Sequence, residues 1–221
     1  MTKDENLIRM FNEHLDGHGL IATIIFPELK DVHPNDVKKK FPHLRQTAKG
    51  VGFAMDYGGT QFAVSRNLKI DKETAQEYID KYFEGFSGIA RWGANQKKQG
   101  AKDGYVTTLF GHRRHLSGIH SDNIRIKSYY ERICLNAPVQ GSAADVAIRA
   151  QILADKDPIL HALGVTMRMQ VHDELVFVAP KRFRELTKER VKWIMEHCLP
   201  IELEVPLISE VDSGSTYAEA K

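Results

Sequence analysis

The sequence predicts an α/β (α+β) fold in which a mainly helical first part is followed by part of an antiparallel sheet. Apolar residues recur at helical spacing in successive segments up to residue 103. After Gly104, β-branched and aromatic residues become frequent, and residues 165–178 alternate as two short strands would. We therefore expect two parts, residues 1–103 and residues 104–221.

Composition limits the class of protein. With 221 residues, the chain is long enough for a substantial core, and its 31 Lys and Arg nearly balance 29 Asp and Glu, so any basic surface must be local. Cys134 and Cys198 lie in apolar surroundings without ligand spacing, which indicates reduced thiols rather than a disulfide or a zinc site. Since there is no apolar run of about 18 residues and the N-terminus is too charged for a signal peptide, we expect a soluble, cytoplasmic protein.

Helical segments follow one another in the first part, with Asp71 as the expected N-cap of the fifth. Asp16, Gly17 and His18 separate the first helix from the second. The segments expected to be helical are residues 4–15, 19–26, 34–41, 45–58, 71–86 and 89–99.

The helix at residues 45–58 has the most informative pattern. At about 100° per residue, side chains four positions apart form a stripe that drifts roughly 40° per step. Two cations and two aromatics form this stripe, namely Arg45, Lys49, Phe53 and Tyr57. Three apolar residues lie on the opposite side, namely Ala48, Val51 and Met55.

Such a stripe suits a ligand with phosphates at one end and a flat ring or a sugar at the other, because Arg and Lys bind phosphate oxygens and aromatic faces stack on bases. The alternative is a solvated Arg and Lys beside two aromatics that complete the core. Gly50 and Gly52 each cost about 1 kcal/mol inside a helix, so either a neighbouring group approaches this backbone or the helix bends. Gly58 and Gly59 are expected to end it.

The second part begins with a basic hairpin at residues 105–116. Its four basic or titratable side chains at residues 112–115 suit contacts to backbone phosphates, and an exposed basic hairpin is the equal alternative. Further on we expect a long helix at residues 128–155 interrupted at Pro138, a helix at residues 183–199 and a closing strand at residues 203–211.

Two groups of polar residues stand out in this part. Arg132, Asn136 and Gln140 recur every four residues and are of types that donate to minor-groove acceptors, although the residues by themselves favour plain solvation of a helix surface. The hairpin at residues 165–178 is expected to turn at residues 172–174, His-Asp-Glu. Two adjacent carboxylates there could bind Mg²⁺ with a further carboxylate and phosphates, and a solvated acidic turn is the alternative.

Three motifs in this order resemble the C-terminal part of a family A DNA polymerase, the class that includes bacterial polymerase I and the T7-type phage replicases. Residues 45–58 resemble the fingers helix, motif B. Residues 132–141 resemble the segment along the primer–template minor groove, and residues 171–174 resemble motif C of the palm. The resemblance implies that residues 1–103 are the fingers and residues 104–221 the C-terminal part of the palm.

The resemblance also implies roles for individual residues. His18, Arg45 and Lys49 would contact the incoming triphosphate, Phe53 would pack against its sugar, and Tyr57 would lie beside the nascent base pair. Phe53 in place of a tyrosine implies better rejection of nucleotides that lack the 3′-hydroxyl.

The implied DNA contacts and catalytic groups lie mostly in the second part. Asp173, with Glu174 beside it, would hold the two catalytic Mg²⁺ ions, and Lys49 would stabilise charge on the phosphates. The DNA-binding residues would be Arg132, Asn136 and Gln140, which follow the shape of the newly formed pair, and His172, which contacts the primer.

The family's first metal-binding aspartate, in motif A, would precede residue 1, and Asp4 cannot replace it because Asp4 belongs to the helix that follows. We therefore expect the C-terminal subunit or fragment of a DNA-templated DNA polymerase, which is inactive alone. When an N-terminal chain supplies motif A and the thumb, the combined enzyme would add dNTPs to a primer 3′ end by two-metal nucleotidyl transfer. If Met1 is a natural start, the chain would be one subunit of a split, phage-type polymerase that acts in the host cytoplasm. Equally, residue 1 could mark a boundary introduced by cloning. The alternatives are a non-catalytic primer–template- and nucleotide-binding module of a replication complex, or an unrelated α/β domain.

Overall fold

The structure is a computed structural model that describes residues 1–220. Backbone contacts divide the chain into two compact units, Met1–Val139 and Gln140–Lys221, each with an apolar core of its own. These units are defined by how densely the backbone packs and not by function. The functional boundary expected between residues 103 and 104 therefore stays a prediction.

Within residues 1–220 there are ten α-helices and four short strands, which confirms the predicted α/β class with a mainly helical first part. The helices are α1 (Glu5–Asn12), α2 (Gly17–Ile25), α3 (Pro34–Lys40), α4 (Pro42–Asp56), α5 (Gln61–Leu68), α6 (Lys72–Gly85), α7 (Ser87–Asp103), α8 (Ile124–Asp155), α9 (Pro158–Ala162) and α10 (Arg184–Glu196). The strands form two antiparallel hairpins, β1 (Tyr105–Thr107) with β2 (Arg113–His115), and β3 (Thr166–Val171) with β4 (Glu174–Val178).

The core of the first unit is built by α2, α3, α4, α5 and α6. A Cβ added at Gly19 would lie 2.1 Å from the carbonyl oxygen of Pro34, so the backbones of α2 and α3 touch and only glycine fits there. Burying these apolar side chains is the main stabilising term of the unit. The buried set includes Leu20, Ile25, Leu29, Val37, Val51, Val64, Ile79 and Phe86.

Aspartate caps fix where several helices begin. Asp71 accepts a hydrogen bond from the backbone N–H of Thr74 at 2.8 Å, as the sequence predicts. Asp4, only 3% exposed, accepts from the N–H groups of Leu7 at 3.1 Å and Gly88 at 2.7 Å. Asp4 therefore caps α1 and joins its start to α7.

Three helices, α5, α8 and α9, differ from expectation, and the short helix α9 was not predicted. α5 follows the glycine pair directly, starting after Thr60, and was not predicted because its eight residues carry little apolar periodicity. α8 continues through Pro138, so the predicted interruption there is wrong. A proline inside a helix costs about 3 kcal/mol, and the complete burial of the Pro138 ring offsets part of that cost.

The second unit surrounds a small core formed by α9, β4, α10, the end of α8 and Val165, which directly precedes β3. The predicted closing strand at residues 203–211 is wrong, because the segment joins no hydrogen-bonded ladder in the described part of the chain. Its side chains nevertheless alternate between half-buried and exposed from Val205 to Val211, as those of a strand would. The buried core residues are Ala154, Leu160, Val165, Val191 and Ile194.

Both cysteines are free and buried, as expected for reduced thiols. Burial raises the pKa of the Cys134 and Cys198 thiols above their ordinary value, so both stay protonated at neutral pH. Among the helices of residues 1–220, none combines the length and the apolar character that crossing a membrane requires.

Candidate functional site

The two faces of α4 are those that the sequence predicts. Ala48 and Val51 are completely buried and Met55 is 6% exposed, whereas Phe53 is 48% exposed. Tyr57, the C-cap of α4, is 56% exposed. About half of each of these two residues therefore lies outside the core, where a flat ligand can pack against them.

Neighbouring helices approach the backbone of α4 at its two internal glycines. A Cβ at Gly50 would lie 2.7 Å from Leu68 Cδ2 of α5, and one at Gly52 would lie 2.8 Å from Ile21 Cδ1 of α2. This confirms the close approach expected from two glycines in one helix. Gly58, at φ +67°, then follows the end of the helix in the left-handed region that favours glycine.

Asp16 forms an ion pair with Arg45, the first residue of the α4 stripe. Arg45 Nε donates to Asp16 Oδ2 at 2.8 Å, and the side chains are 22% and 18% exposed. Burial would raise the pKa of Asp16, but the hydrogen bonds from Arg45 and from the N–H of Gly19 hold it below its usual value. The carboxylate is therefore charged throughout the neutral range, and Arg45 is already oriented before any ligand binds.

His18, on the first turn of α2, lies against the same stripe. Its ring is 5.5 Å from the Phe53 ring in an edge-on arrangement, and its buried Nδ1 has no hydrogen-bond partner within residues 1–220. Burial, together with the cations Arg45 and Lys49, lowers the pKa of His18 below 6.5, and Asp16 partly offsets this. At neutral pH the imidazole is uncharged and can donate a hydrogen bond to an anionic ligand without adding a full charge.

Lys49 completes this surface. Its Nζ lies 5.5 Å from the centroid of the Phe53 ring, so the ammonium group is beside the aromatic face and close to His18. The structure thus brings together His18, Arg45, Lys49 and Phe53, four of the five residues expected to bind a nucleotide. We call these four residues and Tyr57 the α4 surface.

α8 passes beside the end of the α4 surface. A Cβ at Gly58 would lie 3.3 Å from Arg132 Cγ and 3.3 Å from Leu135 Cδ1, so the aliphatic stem of Arg132 packs on the chain just after Tyr57. Arg132 is exposed, and Asn136, four residues later on α8, is half-buried. Gln140, the third member of the predicted series, is exposed and belongs to the second unit.

The turn of the β3–β4 hairpin is shorter than expected. Glu174 opens β4 and pairs with Val171, so the turn consists of His172 and Asp173 alone, and placing Glu174 at the tip is wrong. The reason is that His172 adopts φ +56°, which closes the hairpin in two residues. The carbonyl oxygen of His172 accepts from Gln170 Nε2 at 2.8 Å, which supports this turn.

The carboxylates of this hairpin match only part of a metal site. Asp173 and Glu174 are both exposed, and Glu174 Oε2 accepts from the Tyr217 hydroxyl at 2.8 Å. No group of three or more His, Cys, Asp or Glu side chains suited to a metal occurs among the residues that the structure describes. Mg²⁺ is commonly bound by one or two carboxylates together with waters and phosphates. Asp173 and Glu174 could therefore supply some of the ligands of a Mg²⁺ site.

The ion pair of Asp16 with Arg45 was not predicted from the sequence. An aspartate before a glycine and an apolar run indicates an N-cap, which Asp16 is. Its partner is 29 positions away, and no local pattern identifies a contact at that separation.

A family model described as DNA polymerase family A matches residues 1–219. The chain belongs to DNA polymerase family A. It is 40% identical over 223 residues to DNA polymerase I of Streptococcus pneumoniae serotype 4, and this alignment covers 100% of the chain and 24% of the relative. Against DNA polymerase I of Bacillus subtilis the identity is 36% over 221 residues, with 100% and 24% covered. The thermostable DNA polymerase I of Thermus aquaticus is also 36% identical, with 100% and 25% covered.

Among solved structures, the chain is similar to the POL domain of Pol1 from M. smegmatis in complex with DNA primer-template and dNTP. The TM-score is 0.88 at 32% sequence identity, over 99% of this chain and 37% of the other. The family A chain described here thus spans about a quarter of the length of the curated relatives it matches.

Proposed function

We propose that this chain supplies the nucleotide-binding and part of the primer–template-binding machinery of a DNA-templated DNA polymerase. The observation that carries the proposal is the α4 surface, where an Arg, a Lys and a neutral His surround an exposed Phe on a helix whose other face is core. The family membership supports a polymerase reaction, in which a primer 3′-hydroxyl attacks a dNTP and pyrophosphate leaves.

Each residue of the α4 surface has a role suited to its chemistry. Arg45 and Lys49 bind the triphosphate and stabilise the charge that develops as the pyrophosphate leaves. His18 donates a hydrogen bond to a phosphate oxygen. Phe53 packs on the sugar, and Tyr57 lies beside the nascent base pair, where both rings are exposed enough to be covered by the substrate.

The DNA contacts lie along α8 and at the β3–β4 turn. Arg132 and Asn136 donate to the minor-groove acceptors of the newly formed pair, Gln140 continues this series, and His172 contacts the primer. Support comes from their residue types, from the packing of Arg132 next to Gly58, and from the M. smegmatis protein, whose complex contains primer-template and dNTP.

Asp173 and Glu174 are proposed to hold part of a Mg²⁺ site. Bound there, Mg²⁺ would lower the pKa of the primer 3′-hydroxyl and neutralise charge on the phosphates. In this chain, Asp173 presents its carboxylate at the hairpin tip, and Tyr217 donates to Glu174 and so restrains it. The remaining ligand, a motif A aspartate, is proposed to come from polypeptide outside these 221 residues, either covalently joined or as a separate N-terminal chain that also carries the thumb.

The incomplete set of metal ligands within residues 1–220 is the observation that favours an alternative function, that of a binding module. With two neighbouring carboxylates and no third ligand, the chain could serve as a non-catalytic module that binds primer–template DNA and nucleotides in a replication complex. Retention of both Asp173 and the α4 surface argues for the polymerase, because binding DNA alone requires neither.

Primer extension with Mg²⁺ and dNTPs distinguishes the two. We expect no extension by the 221-residue chain alone, extension when it is mixed with the N-terminal part of a family A polymerase that carries motif A, and none when the mixture carries Asp173→Asn. Glu185→Gln, which neutralises an exposed carboxylate at the start of α10, is the matched control and should leave extension unchanged.

The outcomes separate the two hypotheses. Extension by the lone chain would refute the need for a second polypeptide. Mixtures that bind primer–template but never extend it would favour the binding module.

A further inference from the structure

We infer that Asp16 is a positioning residue of the nucleotide site, whose carboxylate orients the Arg45 guanidinium and limits the affinity of the α4 surface for anions. The inference rests on the proposed function, because it assumes that Arg45 binds a triphosphate. It concerns a residue that touches Arg45 and is assigned no contact with the substrate.

Asp16 is itself held in place from two sides. Its Oδ1 accepts from the N–H of Gly19 at 2.9 Å as the N-cap of α2, and its own N–H donates to Asn35 Oδ1 at 2.6 Å. Gly19 in turn packs directly on the Pro34 carbonyl of α3. The carboxylate therefore has little freedom to move, and an arginine bound to it inherits this rigidity.

The contact engages one edge of the guanidinium. Arg45 binds Asp16 through Nε, so its two terminal nitrogens remain for phosphate oxygens. A guanidinium that is already oriented loses less side-chain entropy when a phosphate binds. Orientation by Asp16 should thus strengthen triphosphate binding.

The charge of Asp16 acts in the opposite direction. With His18 neutral, Arg45 and Lys49 carry the positive charge of the α4 surface, and the Asp16 carboxylate offsets one of these two charges. It therefore repels a triphosphate while orienting the residue that binds it. Substitutions that remove the charge but keep or lose the Arg45 contact separate these two effects.

Asp16→Asn and Asp16→Ser make this separation. Both remove the charge, and Ser keeps the N-cap of α2. The single oxygen of Asn can accept from Arg45 Nε when it gives up the Gly19 cap, whereas the Ser side chain is too short to reach Arg45. The difference in anion affinity between the two variants therefore measures the effect of the orienting contact. The change in affinity that both variants show relative to the wild type measures the effect of the charge.

The probe is inorganic tripolyphosphate, titrated calorimetrically into the 221-residue chain at low ionic strength. We expect Asp16→Asn to bind it about three- to tenfold more tightly than the wild type does, because one nearby negative charge is gone. Asp16→Ser should bind about threefold more weakly than Asp16→Asn, since the Arg45 hydrogen bond is lost. Both differences from the wild type should shrink at high salt, whereas the Asn-to-Ser difference should persist.

A second measurement does not depend on the ligand. Hydrogen exchange of the Arg45 Nε–H group, followed by ¹⁵N NMR, should be slow in the wild type and several-fold faster in Asp16→Ser. Asp36→Asn is the control, because it removes an exposed carboxylate of the same unit that pairs with Lys40 at 2.8 Å. It should change neither the exchange rate nor the affinity appreciably.

Each outcome decides something definite. Wild-type-like affinity and exchange in Asp16→Asn and Asp16→Ser would overturn the role of Asp16, and equal affinities of the two variants would overturn its orienting part. No tripolyphosphate binding by any variant would overturn the nucleotide site itself, and the role of Asp16 with it.

Discussion

Asp157 combines two stabilising roles in the second unit. It caps α9 by accepting from the N–H of Leu160 at 2.9 Å, and it binds Arg190 of α10 through Nε at 3.0 Å and Nη2 at 2.5 Å. We expect Asp157→Ala to lower the free energy of unfolding by about 2–4 kcal/mol at neutral pH, because a cap is lost and Arg190 loses its partner. Urea unfolding followed by circular dichroism measures the change.

The effect of Asp157 should depend on pH. The Arg190 guanidinium holds the pKa of this carboxyl below its ordinary value of 3.8, so its contribution is fully present above that value and is lost as pH falls through the lower folded-state pKa. The difference between wild type and Asp157→Ala should therefore shrink in acid. Asp36→Ala, at an exposed i,i+4 pair with Lys40, is the control and should change stability far less. Equal effects of the two substitutions would contradict the assignment.

His18 should titrate below the ordinary value of 6.5, because burial and the cations Arg45 and Lys49 disfavour its protonated form. Since the unfolded chain then binds the proton more readily, the first unit should lose stability as pH falls below about 6.5. ¹H–¹⁵N NMR titration of the imidazole measures this pKa directly. Asp16→Asn should lower it further, whereas Asp36→Asn should not, and a His18 pKa above 6.5 would refute the assigned environment.

At the scale of elements, the crossing of α2 and α3 determines where His18 and Asp16 lie. A methyl group at Gly19 would meet the Pro34 carbonyl oxygen at 2.1 Å, a backbone atom that cannot move without separating the two helices. We expect Gly19→Ala to destabilise the first unit by about 2–4 kcal/mol. Thermal unfolding of the variant tests this.

Gly50→Ala provides the comparison within the same unit. Its methyl group would meet Leu68 Cδ2, the end of a flexible side chain, at 2.7 Å, and alanine also favours the helix by about 1 kcal/mol. The two effects should nearly cancel, leaving a change of no more than about 1 kcal/mol. A larger loss for Gly50→Ala than for Gly19→Ala would show that the α2–α3 contact is not the tighter of the two.

At the scale of the whole molecule, 31 basic and 29 acidic residues leave almost no net field, so the proposed DNA binding requires local basic surfaces. The β1–β2 hairpin is the predicted example, and its Arg114 is exposed. We expect Arg114→Ala to weaken primer–template binding for all sequences alike and to reduce the slope of log K against log salt by about 1. Fluorescence anisotropy over a salt series measures both.

Arg9→Ala is the matched control for this measurement. Arg9 is an exposed cation that already pairs with Glu13 at 3.0 Å on α1. Its removal should leave the salt slope unchanged, so an equal effect at both positions would indicate a diffuse charge effect rather than a contact by the hairpin.

Prediction from sequence worked where a local pattern is sufficient. Helical periodicity and capping chemistry identified both faces of α4 and the Asp71 cap, because these depend on residues within one or two turns. Alternation located the β3–β4 hairpin but placed Glu174 in its turn, since the left-handed conformation of His172 leaves no mark in an apolar pattern. Of the candidate site, the sequence thus predicts which side chains of α4 face away from the core.

The sequence by itself determined the family, the helical stripe from Arg45 to Tyr57 and the hairpin that carries Asp173, because motifs and short periods are local properties. Only the tertiary structure decided that Arg45 is bound to Asp16, that His18 lies against Phe53, that α8 continues through Pro138, and that residues 203–211 have no strand partner within residues 1–220. Each of these depends on groups far apart in the chain, whose contact or burial is set by how the helices and strands pack and not by the residues next to them.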